Sequence, residues 1–265
     1  YVMHPYRPRF CFRKASEVWS FSGWVLIESL GSYLTMQVDR LFIPSVGSTS
    51  ALGHYHVGAD LARMPTFEAF VPLNRAFLPA YARLRGAPRE MTNNFVNVLS
   101  VAAIICIPVS TGFAIVADEA VRFIYGAKWS GMIPVVSWIS LNAGVLALLS
   151  TFYPVLQASG HARLASGITF FHAMLLLAGL GLLHSRFNSI GGIAMIRTLV
   201  SLAVIPFAIY ALRRVIRVSM AQMLGAVWRP LLAAGVMGCV LLYAMPDFHA
   251  LAPGLKLLIR IASGG

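Results

Sequence analysis

Eight ionisable residues lie inside otherwise apolar stretches of this 265-residue chain. Seven of the eight fall between residues 28 and 75. The set comprises Glu28, Asp39, Arg40, Asp60, Arg63, Glu68, Arg75 and Arg197. Guanidinium groups recognise phosphate and carboxylate oxygens through paired hydrogen bonds, whereas carboxylates pair with cations or carry protons. The residue types therefore allow anion binding, ion pairing or proton coupling.

The first two apolar segments predict which of these charges meet. If the segments form an antiparallel hairpin, residues equally far from the turn lie at equal depth. This rule places Glu28 beside Arg75, and Asp39 or Arg40 beside Arg63. Two interpretations stay open, namely structural ion pairs that fix helix packing and groups that serve transport.

The carboxylates have a second possible role. By the same depth rule Glu68 lies near the middle of its segment with no cation opposite, so we expect it to carry a proton. We treat Glu28, Asp39, Asp60 and Glu68 together as candidate proton-coupling or ion-pairing groups.

Three prolines follow one another at seven-residue spacing in the second segment. Pro65, Pro72 and Pro79 therefore lie almost on one face of a helix. Because proline removes a helix hydrogen bond and bends the helix, they are candidate hinge residues.

The composition indicates that these segments lie in a lipid bilayer. Hydrophobic residues make up 58% of the chain and charged residues 11%, with a mean hydropathy of +0.75. These values are typical of an integral membrane protein. A membrane-crossing helix needs about 20 apolar residues, and ionisable groups within one usually face a bundle interior or a wet cavity.

The hydropathy pattern predicts seven spanning helices and the start of an eighth. The expected spans are residues 18–46, 57–81, 93–117, 131–158, 165–184, 189–212 and 230–246, with the eighth beginning near Pro253. The chain opens with Tyr1 and ends within an apolar segment, so we expect it to be a piece of a longer protein.

The basic residues of the connecting loops predict the orientation. Cytoplasmic loops retain an excess of Lys and Arg. One side of the predicted topology holds Arg7, Arg9, Arg13, Lys14, Arg83, Arg85, Arg89, Arg163, Arg213, Arg214, Arg217 and Arg229. The other side holds Arg122, Lys128, Arg186 and Lys256. The first side is predicted to be cytoplasmic, and the net charge of +12 is explained by topology and anionic lipid without nucleic acid.

Other chemistries find little support in the sequence. His54 and His56 have Asp60 nearby but no further ligand type, so no metal site is predicted. The three cysteines are scattered, and no P-loop, GxSxG or HExxH motif occurs. We expect neither a cofactor nor an enzyme.

Four stretches carry a family resemblance. They are FSGWVLIESLGSYLTMQVDRLFIPSVGSTSALGHYHVGADLARMP at 21–65, FLPAYARLRG at 77–86, FIYGAKWSGMIPVV at 123–136 and LQASGHARL at 156–164. In this order and spacing they resemble the second half of a Wzx-type polysaccharide flippase of the MOP (multidrug/oligosaccharidyl-lipid/polysaccharide) superfamily.

The resemblance implies an all-α, polytopic helix bundle that forms the second half of a MATE-like two-bundle transporter. Residues 1–17 would be a cytoplasmic loop, 18–212 the six-helix C-terminal bundle, and 213–265 additional C-terminal helices with the last one truncated.

The implied task is transport, by alternating access, of an undecaprenyl-diphosphate-linked oligosaccharide across the bacterial inner membrane for O-antigen or exopolysaccharide synthesis. Arg40, Arg63, Arg75 and Arg197 would then bind the diphosphate. The implied partners are this lipid-linked substrate, membrane lipid and other polysaccharide assembly proteins. A lipid II flippase and a multidrug exporter of the same superfamily stay open as alternatives, and so does a membrane glycan polymerase or acyltransferase.

Overall fold

A computed structural model describes residues 15–46, 49–84, 86–183 and 185–243. Within these ranges the chain forms ten α-helices and one 3-10 helix, Ala127–Met132. The α-helices are α1 Ala15–Gln37, α2 Asp39–Val46, α3 Thr49–Arg83, α4 Pro88–Ile115, α5 Ala117–Ile124, α6 Ile133–Ser150, α7 Phe152–Ala158, α8 Ala162–Leu183, α9 Ile190–Arg213 and α10 Met220–Tyr243. The predicted all-α helix bundle is confirmed.

Five helical stretches of the described chain are long and apolar enough to cross a membrane. They are Pro88–Ile115, Ala127–Ala158, Ala162–Leu183, Ile190–Arg213 and Met220–Leu241. The first two predicted spans are not among them. The 35-residue α3 has the length to cross, but Asp60, Arg63, Glu68 and Arg75 lower its mean hydropathy. Its crossing, like that of α1, stays a prediction.

Several predicted segments are divided or shifted in the structure. The span 18–46 is two helices, because the chain turns at Val38 between α1 and α2. The span 131–158 is divided at Thr151, and α10 begins ten residues before the predicted residue 230. Arg229 therefore lies inside α10, with its guanidinium 5.6 Å from the ring centre of Trp228, and not in a loop.

Parts of the predicted domain scheme lie outside the described residues. Residues 1–14 of the cytoplasmic loop and the predicted last helix near Pro253 belong to this part. Residues 15–17, assigned to the loop, begin α1. The helix α3 continues through Pro65, Pro72 and Pro79, and the hinge role of these prolines stays a prediction.

The helix boundaries follow from local chemistry. Pro88 occupies the first turn of α4, where its missing N–H costs no helix hydrogen bond. The side chain of Ser189 caps α9 by accepting a hydrogen bond from the backbone N–H of Gly192 at 3.0 Å. Gly160 joins α7 to α8 with φ of +79°, a conformation that other residues rarely adopt.

The two largest apolar clusters of the described residues lie on either side of a polar layer. One cluster gathers around Phe95, Phe152 and Ile168, and the other around Tyr55, Ile139 and Ile193. Between them, α6, α8 and α9 contribute the buried polar residues Ser140, Asn142, Thr169, His172, Arg197 and Ser201. Helix α6 packs against α3, α4 and α9, while α8 packs against α1 and α9. This packing brings the first helices of the chain to the polar layer.

Candidate functional site

A buried ion pair joins the start of α2 to the middle of α9. Nη1 of Arg197 donates to Oδ2 of Asp39 at 2.5 Å, and the hydroxyl of Tyr55 on α3 donates to the same oxygen at 2.7 Å. Asp39 and Arg197 are each only 2% exposed. Three helices are thus held together by one carboxylate oxygen.

This pairing leaves polar atoms of both partners unused. Oδ1 of Asp39 and Nε of Arg197 are buried, and neither has a hydrogen-bond partner among the residues that the structure describes. A bidentate Arg–carboxylate pair would use two parallel hydrogen bonds. The contact is therefore monodentate, and the guanidinium retains donors for another acceptor.

A hydrogen-bond network continues from Arg197 along the polar layer. The hydroxyl of Ser201 accepts from Nδ2 of Asn142 at 2.7 Å and lies 3.2 Å from Nε2 of His172. It also lies 3.0 Å from the backbone oxygen of Arg197, one turn earlier, to which it donates. The network connects α6, α8 and α9, and buried polar groups of this kind are normally satisfied by such contacts.

The layer borders a cavity of about 430 Å³. Its walls come from α1, α3, α6, α7, α8 and α9. The lining residues are Ser32, Thr35, Met36, Asp60, Arg63, Met64, Leu146, Tyr153, Thr169, His172 and Arg197. Met36 and Met64 are 60% and 62% exposed, so the cavity opens at the α1–α3 side. Its polar wall and its open side suit a ligand that has both polar and apolar parts.

Arg63 and Asp60 sit together on the cavity wall, while Arg40 is exposed. Nη1 of Arg63 is 3.9 Å from Oδ1 of Asp60, and the Asp60 side chain is 81% exposed. A pair at this distance with an exposed carboxylate contributes little, about 0–1 kcal/mol. The guanidinium of Arg63 is therefore not committed to Asp60.

The predicted pairing of Asp39 or Arg40 with Arg63 is wrong. Asp39 pairs with Arg197, and Arg63 with Asp60. The hairpin rule assumed one continuous first helix, whereas the turn at Val38 starts a new helix that contacts both α3 and α9. Arg197 was identified as a buried cation, but its partner was missed because it lies 158 positions away in the sequence.

The predicted pairing of Glu28 with Arg75 stays a prediction, but the structure shows another partner for Glu28. Both carboxylate oxygens of Glu28 accept from Nε2 of Gln157 on α7, at 3.3 and 3.1 Å. The side chains of Arg75 and Glu68 lie outside the described residues, although both positions belong to α3. Their proposed roles stay predictions.

Four neutral members of the site were missed by reasoning from charge. They are Tyr55, Asn142, His172 and Ser201. Asn142 and His172 were detectable in principle, because an amide or an imidazole within a long apolar helix needs a polar partner. Tyr55 belongs to the quoted stretch 21–65, but nothing local shows that its hydroxyl reaches Asp39.

The fold and the site define a class, a multi-pass helical membrane protein with a cation-bearing cavity between its helices. More specifically, the chain belongs to the polysaccharide biosynthesis protein family, whose model matches residues 1–134. This confirms the resemblance to Wzx-type flippases of the MOP superfamily and places the chain among multi-pass proteins of the bacterial inner membrane.

Curated relatives agree with this family. The chain is 22% identical to the teichuronic acid biosynthesis protein TuaB of Bacillus subtilis over 98% of its own length and 54% of TuaB. It is 28% identical to the lipopolysaccharide biosynthesis protein WzxC of Escherichia coli over 49% of its length and 27% of WzxC. The succinoglycan biosynthesis transport protein ExoT of Rhizobium meliloti is 22% identical over 60% of this chain and 33% of ExoT. The chain spans about half the length of TuaB, and the matches to the others cover less.

A solved structure shows the same arrangement of helices. The lipid II flippase MurJ in its inward closed conformation superposes with a TM-score of 0.67 at 11% identity. The superposition covers 99% of this chain and 56% of the MurJ chain. The fold of this chain is therefore similar to that of about half of the MurJ chain.

Proposed function

We propose that this chain is one half of a transporter that moves an undecaprenyl-diphosphate-linked oligosaccharide from the cytoplasmic to the periplasmic leaflet by alternating access. The observation that carries the proposal is the cavity whose wall holds Arg63 and Arg197. The family and the relatives named for lipopolysaccharide biosynthesis and succinoglycan transport support this substrate class.

The proposed substrate has three parts that match three environments. Its diphosphate needs cationic donors, which the arginines of the cavity supply. Its glycan is polar and requires a wet path, and its polyprenyl tail is apolar. Because Met36 and Met64 are exposed at the open side of the cavity, the tail can remain in lipid while the head group is inside.

Arg63 offers the cleaner test of substrate binding, since Arg197 is also held by Asp39. In a strain lacking the chromosomal copy, we expect Arg63→Ala in the full transporter to reduce export at least tenfold. Arg63→Lys should retain part of the activity, because the charge remains but the planar fork of donors is lost. A lost charge-assisted hydrogen bond of about 1.5–3 kcal/mol corresponds to this range.

The measurement is surface polysaccharide per unit of folded transporter in the membrane. Arg122→Ala is the matched control, because Arg122 forms an exposed pair with Asp118 on α5, away from the cavity. Equal export by Arg63→Ala and Arg122→Ala would contradict a substrate role for this cavity wall.

A further inference from the structure

The buried carboxylate of Asp39 accepts only one of the hydrogen bonds that the Arg197 guanidinium can donate. One oxygen of Asp39 accepts one Nη1 hydrogen bond, while Nε of Arg197 has no partner among the described residues. Arg197 also lines the cavity, although its side chain is only 2% exposed. The guanidinium thus lies between an internal anion and a space where an external anion can enter.

Asp39 would not be left without a partner if Arg197 turned away. The hydroxyl of Tyr55 donates to Oδ2 of Asp39 at 2.7 Å, independently of the guanidinium. The carboxylate also stands in the first turn of α2, where the helix dipole favours a negative charge. Exchange of Arg197 between two acceptors therefore costs less than breaking a buried pair outright.

The position of Asp39 ties this exchange to a short helix that follows a break in the chain. Asp39 is the first residue of the eight-residue α2, directly after the turn at Val38. Helix α2 contacts α3 and α9, and its ionic contact with α9 among the described residues is the Asp39–Arg197 pair. Loss of that pair would remove the ionic contact between α2 and α9 and leave the apolar packing of Ile43.

We propose that Asp39 is an internal competitor for the anionic head group: it holds Arg197 in the empty cavity, and a bound diphosphate takes over the guanidinium and releases α2 from α9. This inference rests on the proposed function. A diphosphate carries more negative charge than one carboxylate and accepts bidentate hydrogen bonds from arginine, so it can displace a monodentate partner. Binding of substrate is thereby coupled to a change at the α1–α2 break.

The first test measures binding of farnesyl diphosphate to the purified full transporter in nanodiscs. We expect Asp39→Asn to bind it about tenfold more tightly than the wild type, because its competitor has lost its charge. Arg197→Gln should bind it about tenfold more weakly. Inorganic pyrophosphate should show the same order of affinities, since the head group is what competes, and farnesol should not distinguish the variants.

Asp118→Asn is the matched control for removal of an aspartate charge. Asp118 also pairs with an arginine, Arg122 at 2.8 Å, but this pair is exposed on α5. Unchanged or weaker binding by a folded Asp39→Asn, with normal wild-type binding, would overturn the competitor role and leave the proposed function standing. Failure of the wild type and Asp39→Asn alike to bind the diphosphate would overturn both.

A second measurement needs no substitution at the ion pair. Spin labels at Ser45 on α2 and at Asn188 before α9, both exposed, report the separation of these elements in a cysteine-free background. Saturating farnesyl diphosphate should lengthen the distance in the otherwise wild-type protein. An unchanged distance under saturation would refute release of α2, whether or not Asp39→Asn folds.

Discussion

The hydroxyl of Ser201 joins three helices at a single atom. It accepts from Asn142 on α6, contacts His172 on α8 and donates to its own helix α9. All three side chains are at most 5% exposed. In a low-dielectric interior an intact network stabilises the fold, because each member that loses its partner carries an uncompensated desolvation cost.

We expect Ser201→Ala to destabilise the protein by about 1–3 kcal/mol for each polar group left without a partner. Ser150→Ala is the control, since Ser150 donates at 2.7 Å to the carbonyl of Ala147 within its own helix. Thermal unfolding in detergent, followed by size-exclusion chromatography, measures the difference. Equal melting temperatures for the two variants would show that the network does not contribute to stability.

The residues of this site differ in how far the sequence reveals them. Arg197 and Asp39 are conspicuous, because a charge within an apolar segment has few explanations. Their pairing cannot be predicted from the sequence, because it depends on which helices become neighbours and on a turn at Val38. No proline or glycine marks that turn. His172 and Asn142 were missed because a list of charged residues excludes neutral polar groups.

Elements were easier to predict than their interruptions. The length of the apolar segments predicts the bounds of α4, α8 and α9 within a few residues, because a helix must be long and apolar enough to cross the bilayer. The turn at Thr151 lies inside an apolar run, so hydropathy carries no sign of it, whereas Asp39 and Arg40 stand directly after the turn at Val38 without having divided the predicted span 18–46. Helix α3 continues through its three prolines, so a hinge there would be a bend within one helix, and that role stays a prediction.

Helices α4 and α6 approach each other closely at a small residue. A Cβ added to Gly144 would overlap Oγ of Ser110 and lie 2.8 Å from its Cβ. Small residues permit such close backbone packing between membrane helices. The contact fixes α6, which carries Asn142 two residues earlier.

We expect Gly144→Ala to lower stability by about 1–3 kcal/mol through overpacking. Gly167→Ala on α8 is the matched control, because a Cβ there meets no described atom within 4 Å and alanine favours the helix by up to about 1 kcal/mol. The two substitutions should therefore shift the melting temperature in opposite directions. A shift of the same sign and size would contradict close packing at Gly144, and Ser110→Gly should partly rescue Gly144→Ala.

At the scale of the whole molecule, the cavity is bounded by one bundle. Its open side presents Met36, Met64 and the exposed carboxylate of Asp60. The chain also covers 54% of TuaB and 56% of MurJ, so both proteins have a comparable length of chain beyond the matched part. Alternating access generally requires two bundles or repeats that rock around a shared central site.

We therefore expect the isolated 265-residue chain to move no lipid-linked oligosaccharide across vesicle membranes, whereas a polypeptide that adds a preceding bundle does so. The physical reason is that one wall can bind a head group but cannot close behind it. The measurement is the fraction of a fluorescent diphosphate-linked glycolipid that becomes inaccessible to an external quencher. Transport by the isolated chain would refute the shared-cavity model, and crosslinking through cysteines at Met36 and Met64 would then show whether two copies had faced each other across the open side.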